Sequence, residues 1–278
     1  MATRVSPASR WDGTRSDLLL LAMGVGTYTL ILIGIYTAAI GAGLTCDGRW
    51  PLCDGAVFGL FPANWPSFVE WFHRLVAMLT GFLILGGWAV VWRSGRSRRA
   101  TAAMSAVVVL LPIQIWLGRE TVLGYEIIAL TAHFLTALLI FGGIVLAVTW
   151  YWKLDRLIPP FTSRLLLVAL VLMVPFVILT PRLLVIHTGE VQFLYYGIGL
   201  AIFVSLLLVA LAGVTTIARG LGAIGLGLLV VQLLAGRLVR TPMIELIDWT
   251  AAALLLILIG IALYTVHDRP NRRTRITL

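Results

Sequence analysis

Eight apolar runs recur along this chain, near residues 18–40, 68–92, 100–118, 127–152, 164–186, 191–214, 220–237 and 245–266. A ~30 Å hydrocarbon core needs roughly 20 helical residues at ~1.5 Å each. Hydrocarbon offers the backbone no hydrogen-bond partner, so a spanning segment must be a helix or belong to a closed barrel. Runs of this length predict an all-α integral membrane protein with eight transmembrane helices. Of the 278 residues, 60% are hydrophobic and 12% charged, outside the range of a soluble domain. The first run is long enough to span and no small-residue cleavage site follows it, so it reads as a retained helix rather than a signal peptide.

Eight spans put both termini on one side of the membrane, and the basic residues say which. Arg4, Arg10 and Arg15, the 2–3 loop (Arg93, Arg96, Arg98, Arg99), the 4–5 junction (Lys153, Arg156, Arg164), Arg219 and the tail (Arg269, Arg272, Arg273, Arg275) hold most of the 21 Lys and Arg. By the positive-inside rule both termini are cytoplasmic in a multi-pass plasma-membrane protein. Asp47, Asp54, Glu70, Glu120, Glu126, Glu190, Glu245 and Asp248 fall on the outer side. A basic cytoplasmic surface accounts for the net charge of +9 without nucleic acid, and anionic lipid is its natural counterpart.

The third and seventh spans carry a repeat: Leu111, Gln114, Gly118 and Arg119 align with Leu229, Gln232, Gly236 and Arg237. With four spans per half, the halves share an orientation, as in a parallel repeat of two four-helix bundles. The expected domains are 1–154 and 155–278, joined by a linker over 155–163 that contains Pro159 and Pro160.

Ionisable groups inside spans cost a few kcal/mol each by insertion scales, which makes them functional candidates. His73 lies six residues after Ser67, where the second span starts, and so ~9 Å below the outer end; His133 lies about seven after Glu126, ~10 Å down. Two imidazoles at one depth on parallel helices of a bundle suit axial ligation of a heme iron. Core histidines hydrogen-bonded to other helices are the alternative. A zinc site lacks a third ligand at that depth.

Glu70 precedes His73 by three residues on the same helix face, and Arg74 follows. A carboxylate there can take protons or stabilise developing positive charge. Ser67-Phe68-Val69-Glu70 also fits a capping box, which would explain Glu70 without chemistry. Arg74 and Arg119 suit heme propionates or, equally, lipid headgroups. Cys46 and Cys53, the two cysteines of the chain, share the first outer loop, where an oxidising compartment favours a disulfide, either a staple or a redox pair.

Gly41-Ala42-Gly43-Leu44-Thr45-Cys46 through Trp50-Pro51-Leu52-Cys53, then Glu70-Trp71-Phe72-His73-Arg74, Gln114-Ile115-Trp116-Leu117-Gly118, Thr121-Val122-Leu123 and His133, in this order and spacing, resemble the heme A synthase family. The resemblance implies an eight-helix oxidoreductase of two bundles that converts the C8 methyl of heme O to the formyl of heme A for terminal oxidases. It implies that His73 and His133 hold the substrate heme, that Glu70 assists hydroxylation, and that Cys46 and Cys53 are the family's outer-loop pair. A heme O synthase, an electron acceptor and a terminal oxidase are the implied partners.

The second half departs from that pattern, because the family's other bundle carries a His pair for heme b. Here Tyr195 falls opposite His73 and Trp249, give or take a residue, opposite His133, while His187 and His267 lie at opposite membrane faces. A single-heme synthase is therefore the leading expectation. A heme-binding electron carrier and a non-catalytic oxidase assembly or heme-carrier factor are the alternatives.

Overall fold

The computed structural model describes residues 7–46, 64–124, 126–154, 156–180, 188–237 and 241–267. Its long helices are α1 (Pro7–Ala39), α2 (Trp65–Ser94), α3 (Arg98–Leu123), α4 (Ile127–Tyr151), α5 (Pro159–Ile178), α6 (Gly189–Ala212), α7 (Thr216–Ala235) and α8 (Pro242–His267). All eight are long and apolar enough to cross a membrane, and no strand occurs among the described residues. Bulky side chains such as Phe82, Val109, Ile128 and Leu246 stand exposed on them, as lipid contact requires. This is a multi-pass membrane protein.

Helix ends follow local chemistry. Asn64 caps α2 by accepting from the Ser67 amide at 2.9 Å, and α2 stops where Gly95 takes φ 59°. Ser97 then caps α3, accepting from the Ala100 amide at 3.2 Å. Pro159 and Pro160 open α5 rather than sitting in a linker, because proline's fixed φ suits the first helical turn and its missing N–H is not needed there. The fifth span therefore begins earlier than expected and ends at Ile178, three residues past Pro175.

The chain divides into two compact units, Met1–Trp152 and Lys153–Leu278. In the first, α1 packs on α2, α2 on α3, α3 on α4, and α4 on α1, so α2 and α4 face each other diagonally. One end of this unit is a dry core: Leu20 and Met23 from α1, Ile84 and Val91 from α2, Met104 and Val107 from α3, and Ile140, Ile144 and Tyr151 from α4. These residues come from the starts of α1 and α3 and the ends of α2 and α4, so neighbouring helices run antiparallel. Trp152 Nε1 donates to Asp17 Oδ1 at 2.8 Å, Trp88 Nε1 contacts Ser105 Oγ at 3.1 Å, and the Arg96 guanidinium lies 4.7 Å from the Tyr151 ring centroid, closing that end. The chemistry-bearing residues lie toward the other end.

In the second unit α5 packs on α6, α6 on α7, α7 on α8, and α8 on α5. The end at which α6 begins is filled by aromatic rings: Phe176 stacks on Tyr195 at 4.5 Å, and Tyr195 meets Tyr196 edge-on at 5.0 Å. All three are buried.

Candidate functional site

The site of the first unit begins where the chain enters α2. A short 3-10 helix, Ala42–Cys46, packs against the start of α2, and Ser67 Oγ contacts Thr45 O at 3.2 Å and Thr45 Oγ1 at 3.0 Å. The capping-box reading of Glu70 fails on this geometry. Asn64 is the cap and Ser67 lies inside the helix, with its hydroxyl turned to Thr45 rather than to the helix end. Glu70 instead accepts from Arg74 Nε at 2.8 Å, one turn along α2, and the residue is only 4% exposed. A carboxylate is expensive to bury, and an adjacent guanidinium that balances its charge makes the burial tolerable.

His73 shares that turn of α2. Its Nδ1 is buried with no hydrogen-bond partner among the described residues, which is not the arrangement of a satisfied core histidine. Its ring rests on α1 at Gly34, where an added Cβ would come 2.9 Å from Cε1 and 3.4 Å from Nε2. His133 on α4 stands in the same relation to the helix before it. A Cβ at Gly118 of α3 would come 3.0 Å from His133 Cε1. Each helical hairpin, α1–α2 and α3–α4, thus lodges a histidine from its second helix against a glycine of its first.

His133 also has a polar neighbour, Gln114, whose Nε2 lies 3.3 Å from the imidazole Nε2. Donation from the amide puts the imidazole lone pair on Nε2. Gln114 thus occupies the atom through which a histidine commonly meets a metal. Its own Oε1 is buried without a partner among the described residues. With α2 starting at Trp65 and α4 at Ile127, His73 and His133 lie ~12 Å and ~9 Å along their helices, within one helical turn in depth.

The expected residues are not all gathered. Glu70, His73 and Arg74 form one cluster on α2, and His133 of α4 with Gln114 of α3 forms another. Arg119 stands apart, its Nη1 paired with Glu120 Oε1 at 2.8 Å on an exposed stretch of α3. Cys46 ends the 3-10 helix and is buried, whereas Cys53 and His187 lie outside the described residues. Reasoning from sequence passed over Gly34 altogether and gave Gln114 and Gly118 no role of their own. The Leu-Gln-Gly-Arg repeat was the signal that singled out the last two.

In the second unit the positions matched to the histidines are closed. Tyr195 is fully buried and donates to Gln232 O at 3.4 Å; Tyr196 donates to Leu233 O at 3.2 Å and also hydrogen-bonds Arg237. Trp249 is not the inward residue: it is 47% exposed, while its neighbour Asp248 is 2% exposed and interacts with Tyr196. One position is ~100° on a helix, and indole is better accommodated at the lipid face than beside Arg237.

The family model described as COX15-CtaA, cytochrome oxidase assembly protein, matches residues 17–183, more than half of the chain. Among curated proteins, the chain is 40% identical over 137 residues to Protoheme IX farnesyltransferase of Haloarcula marismortui, covering 49% of this chain and 29% of that one. It is 33% identical over 143 residues to Protoheme IX farnesyltransferase of Halobacterium salinarum, covering 51% and 30%. It is 29% identical over 140 residues to Heme A synthase of Bacillus licheniformis, covering 48% and 46%. The matched stretch is thus about half of this chain and less than half of each of these relatives.

Proposed function

The chain belongs to the COX15-CtaA family of cytochrome oxidase assembly proteins, and from that premise we propose that it is a heme A synthase acting on heme O with a single heme site. His73 and His133 ligate the substrate iron from the two diagonal helices of the first unit. Glu70, held by Arg74 on the same turn as His73, takes up protons released as the C8 methyl is oxidised to the formyl level, with water supplying the formyl oxygen and the methyl and water together giving up protons and electrons in equal number. The electrons leave to an acceptor outside this chain. The observation that carries the reading is the pairing of a buried Glu70–Arg74 couple with a His73 whose buried Nδ1 has no hydrogen-bond partner among the described residues, on the same helix turn.

The names of the curated relatives support heme as the substrate class, since farnesyl transfer to protoheme IX and heme A synthesis both act on heme. The farnesyltransferase matches cover less than a third of those proteins, so their name alone does not assign an activity to the shared segment. In the first unit, two histidines at similar depth, one with an unpartnered buried Nδ1, support a heme between their helices. In the second, Phe176, Tyr195 and Tyr196 pack as buried rings and Tyr195 stands where the repeat would put a histidine, which supports a half without a heme b of its own.

The same reading makes the halves parallel pseudo-repeats, places both termini in the cytoplasm, and joins Cys46 to Cys53 as a staple on the outer loop. Cys46 is buried and no cysteine among the described residues is a free thiol, which supports the staple. Arg74 and Arg119 lie on the propionate side of the substrate.

The test is to co-express the chain with a heme O supply and identify the extracted hemes by mass, in wild type, Glu70→Gln and His133→Ala. Heme A or its hydroxymethyl precursor in wild type but not in Glu70→Gln is the expected result. Unmodified heme in both would overturn catalysis and leave an electron carrier or assembly factor.

A further inference from the structure

A groove of about 510 Å³ opens between the start of α5 and the end of α8, lined by Ser163, Arg164, Leu167, Gly260, Leu263, Tyr264 and His267. Its composition is graded along the helix axes. Arg164, His267 and the hydroxyls of Ser163 and Tyr264 gather at the helix ends, and Leu167, Leu263 and Gly260 continue toward the middle of the spans.

Gly260 to His267 covers seven residues, ~10 Å of helix. Gly260 leaves a notch, since a Cβ there would meet nothing within 4 Å. No acidic side chain lines the groove, and neither Arg164 nor His267 is ion-paired among the described residues. The sequence after His267 adds Arg269, Arg272, Arg273 and Arg275.

We propose that this groove binds one anionic phospholipid, its phosphate held by Arg164 and His267 with the Ser163 and Tyr264 hydroxyls, and one acyl chain laid along Leu167, Gly260 and Leu263. A guanidinium and an imidazole beside two hydroxyls match a phosphate monoanion, and an apolar trough leading inward from them matches nothing water-soluble. The groove is lined by residues of the second unit alone, and the proposal stands whether or not heme is the substrate.

The experiment is native mass spectrometry of the purified full chain, titrated with phosphatidylglycerol, phosphatidylcholine or inorganic phosphate. One phosphatidylglycerol retained in preference to phosphatidylcholine is expected. Arg164→Gln should weaken it about five-fold, the equivalent of ~1 kcal/mol for one interfacial cation. Gly260→Leu, which fills the notch, should weaken both lipids alike. Equal retention of the two lipids, or unchanged selectivity in Arg164→Gln, would overturn the proposal. Displacement of the lipid by inorganic phosphate at matching concentration would overturn it in favour of a free-anion site.

Discussion

Replacing Gly34 by alanine puts a single methyl group against a proposed iron ligand, and its consequence can be worked from the contacts. In a helix interior Gly→Ala ordinarily stabilises by about 1 kcal/mol, because glycine has more backbone freedom to lose. Gly24 and Gly81 show that case in the same helices, with nothing within 4 Å of an added Cβ. At Gly34 the methyl would lie 2.9 Å from His73 Cε1, and at Gly118 it would lie 3.0 Å from His133 Cε1. Both are inside van der Waals contact, and overpacking of this kind costs about 1–3 kcal/mol.

The cost equals or exceeds the gain, so Gly34→Ala and Gly118→Ala should melt at or below the wild-type temperature while Gly24→Ala and Gly81→Ala melt above it. If an imidazole relieves the clash by rotating, stability recovers but the ring no longer presents the same nitrogen. The assay therefore pairs a thermal melt with the absorption spectrum of the heme-loaded protein. The expected spectrum is six-coordinate low-spin in wild type and both controls, shifting toward five-coordinate high-spin in Gly34→Ala and Gly118→Ala. Melting temperatures raised equally in all four variants, with unchanged spectra, would refute the argument that these glycines seat the histidines. A wild type with no low-spin heme would instead refute the ligation itself.

Other outcomes follow from the same contacts. Arg74→Leu leaves the Glu70 carboxylate buried without its ion-pair partner and should destabilise by about 3 kcal/mol; the Arg74→Leu, Glu70→Gln double variant should recover part of this in denaturation, and no recovery would mean the pair is not coupled. Gln114→Leu removes the amide that competes for His133 Nε2, a bond worth about 1 kcal/mol, so heme titration should show affinity rising about five-fold; a fall in affinity would assign Gln114 to holding the heme instead. Tyr195→Ala in the packed second unit should cost about 3–5 kcal/mol by analogy with other buried aromatic truncations, measured by chemical denaturation. Wild-type protein should carry one heme per chain by pyridine hemochrome assay, and two would overturn the reading of the second unit.

How much was legible in advance divides by physical cause. Span number and helical class were readable because hydrocarbon imposes one period and one length on every crossing segment. His73, His133, Glu70 and Arg74 stood out because ionisable groups are rare inside spans. The capping box misled because S-x-x-E is a local pattern, and Asn64 three residues earlier competes for the same role. Pro159 and Pro160 read as a linker because proline breaks helices from within but starts them from the first turn. The eighth span could be aligned only to within a residue, and one residue of register separates the lipid-facing Trp249 from the buried Asp248.

What the sequence determined by itself is the solvent this protein lives in, its eight crossings, and the short list of groups whose burial demands a reason. The tertiary structure alone decided which partner each group has. Glu70 is bound to Arg74 rather than to a helix end, His133 to Gln114 on the neighbouring helix, and both imidazoles rest where glycines leave room. It also decided that rings close the second unit around Tyr195. Those choices depend on helix rotation and ångström-scale separations between segments distant in the chain, to which a one-dimensional pattern of apolar residues is blind.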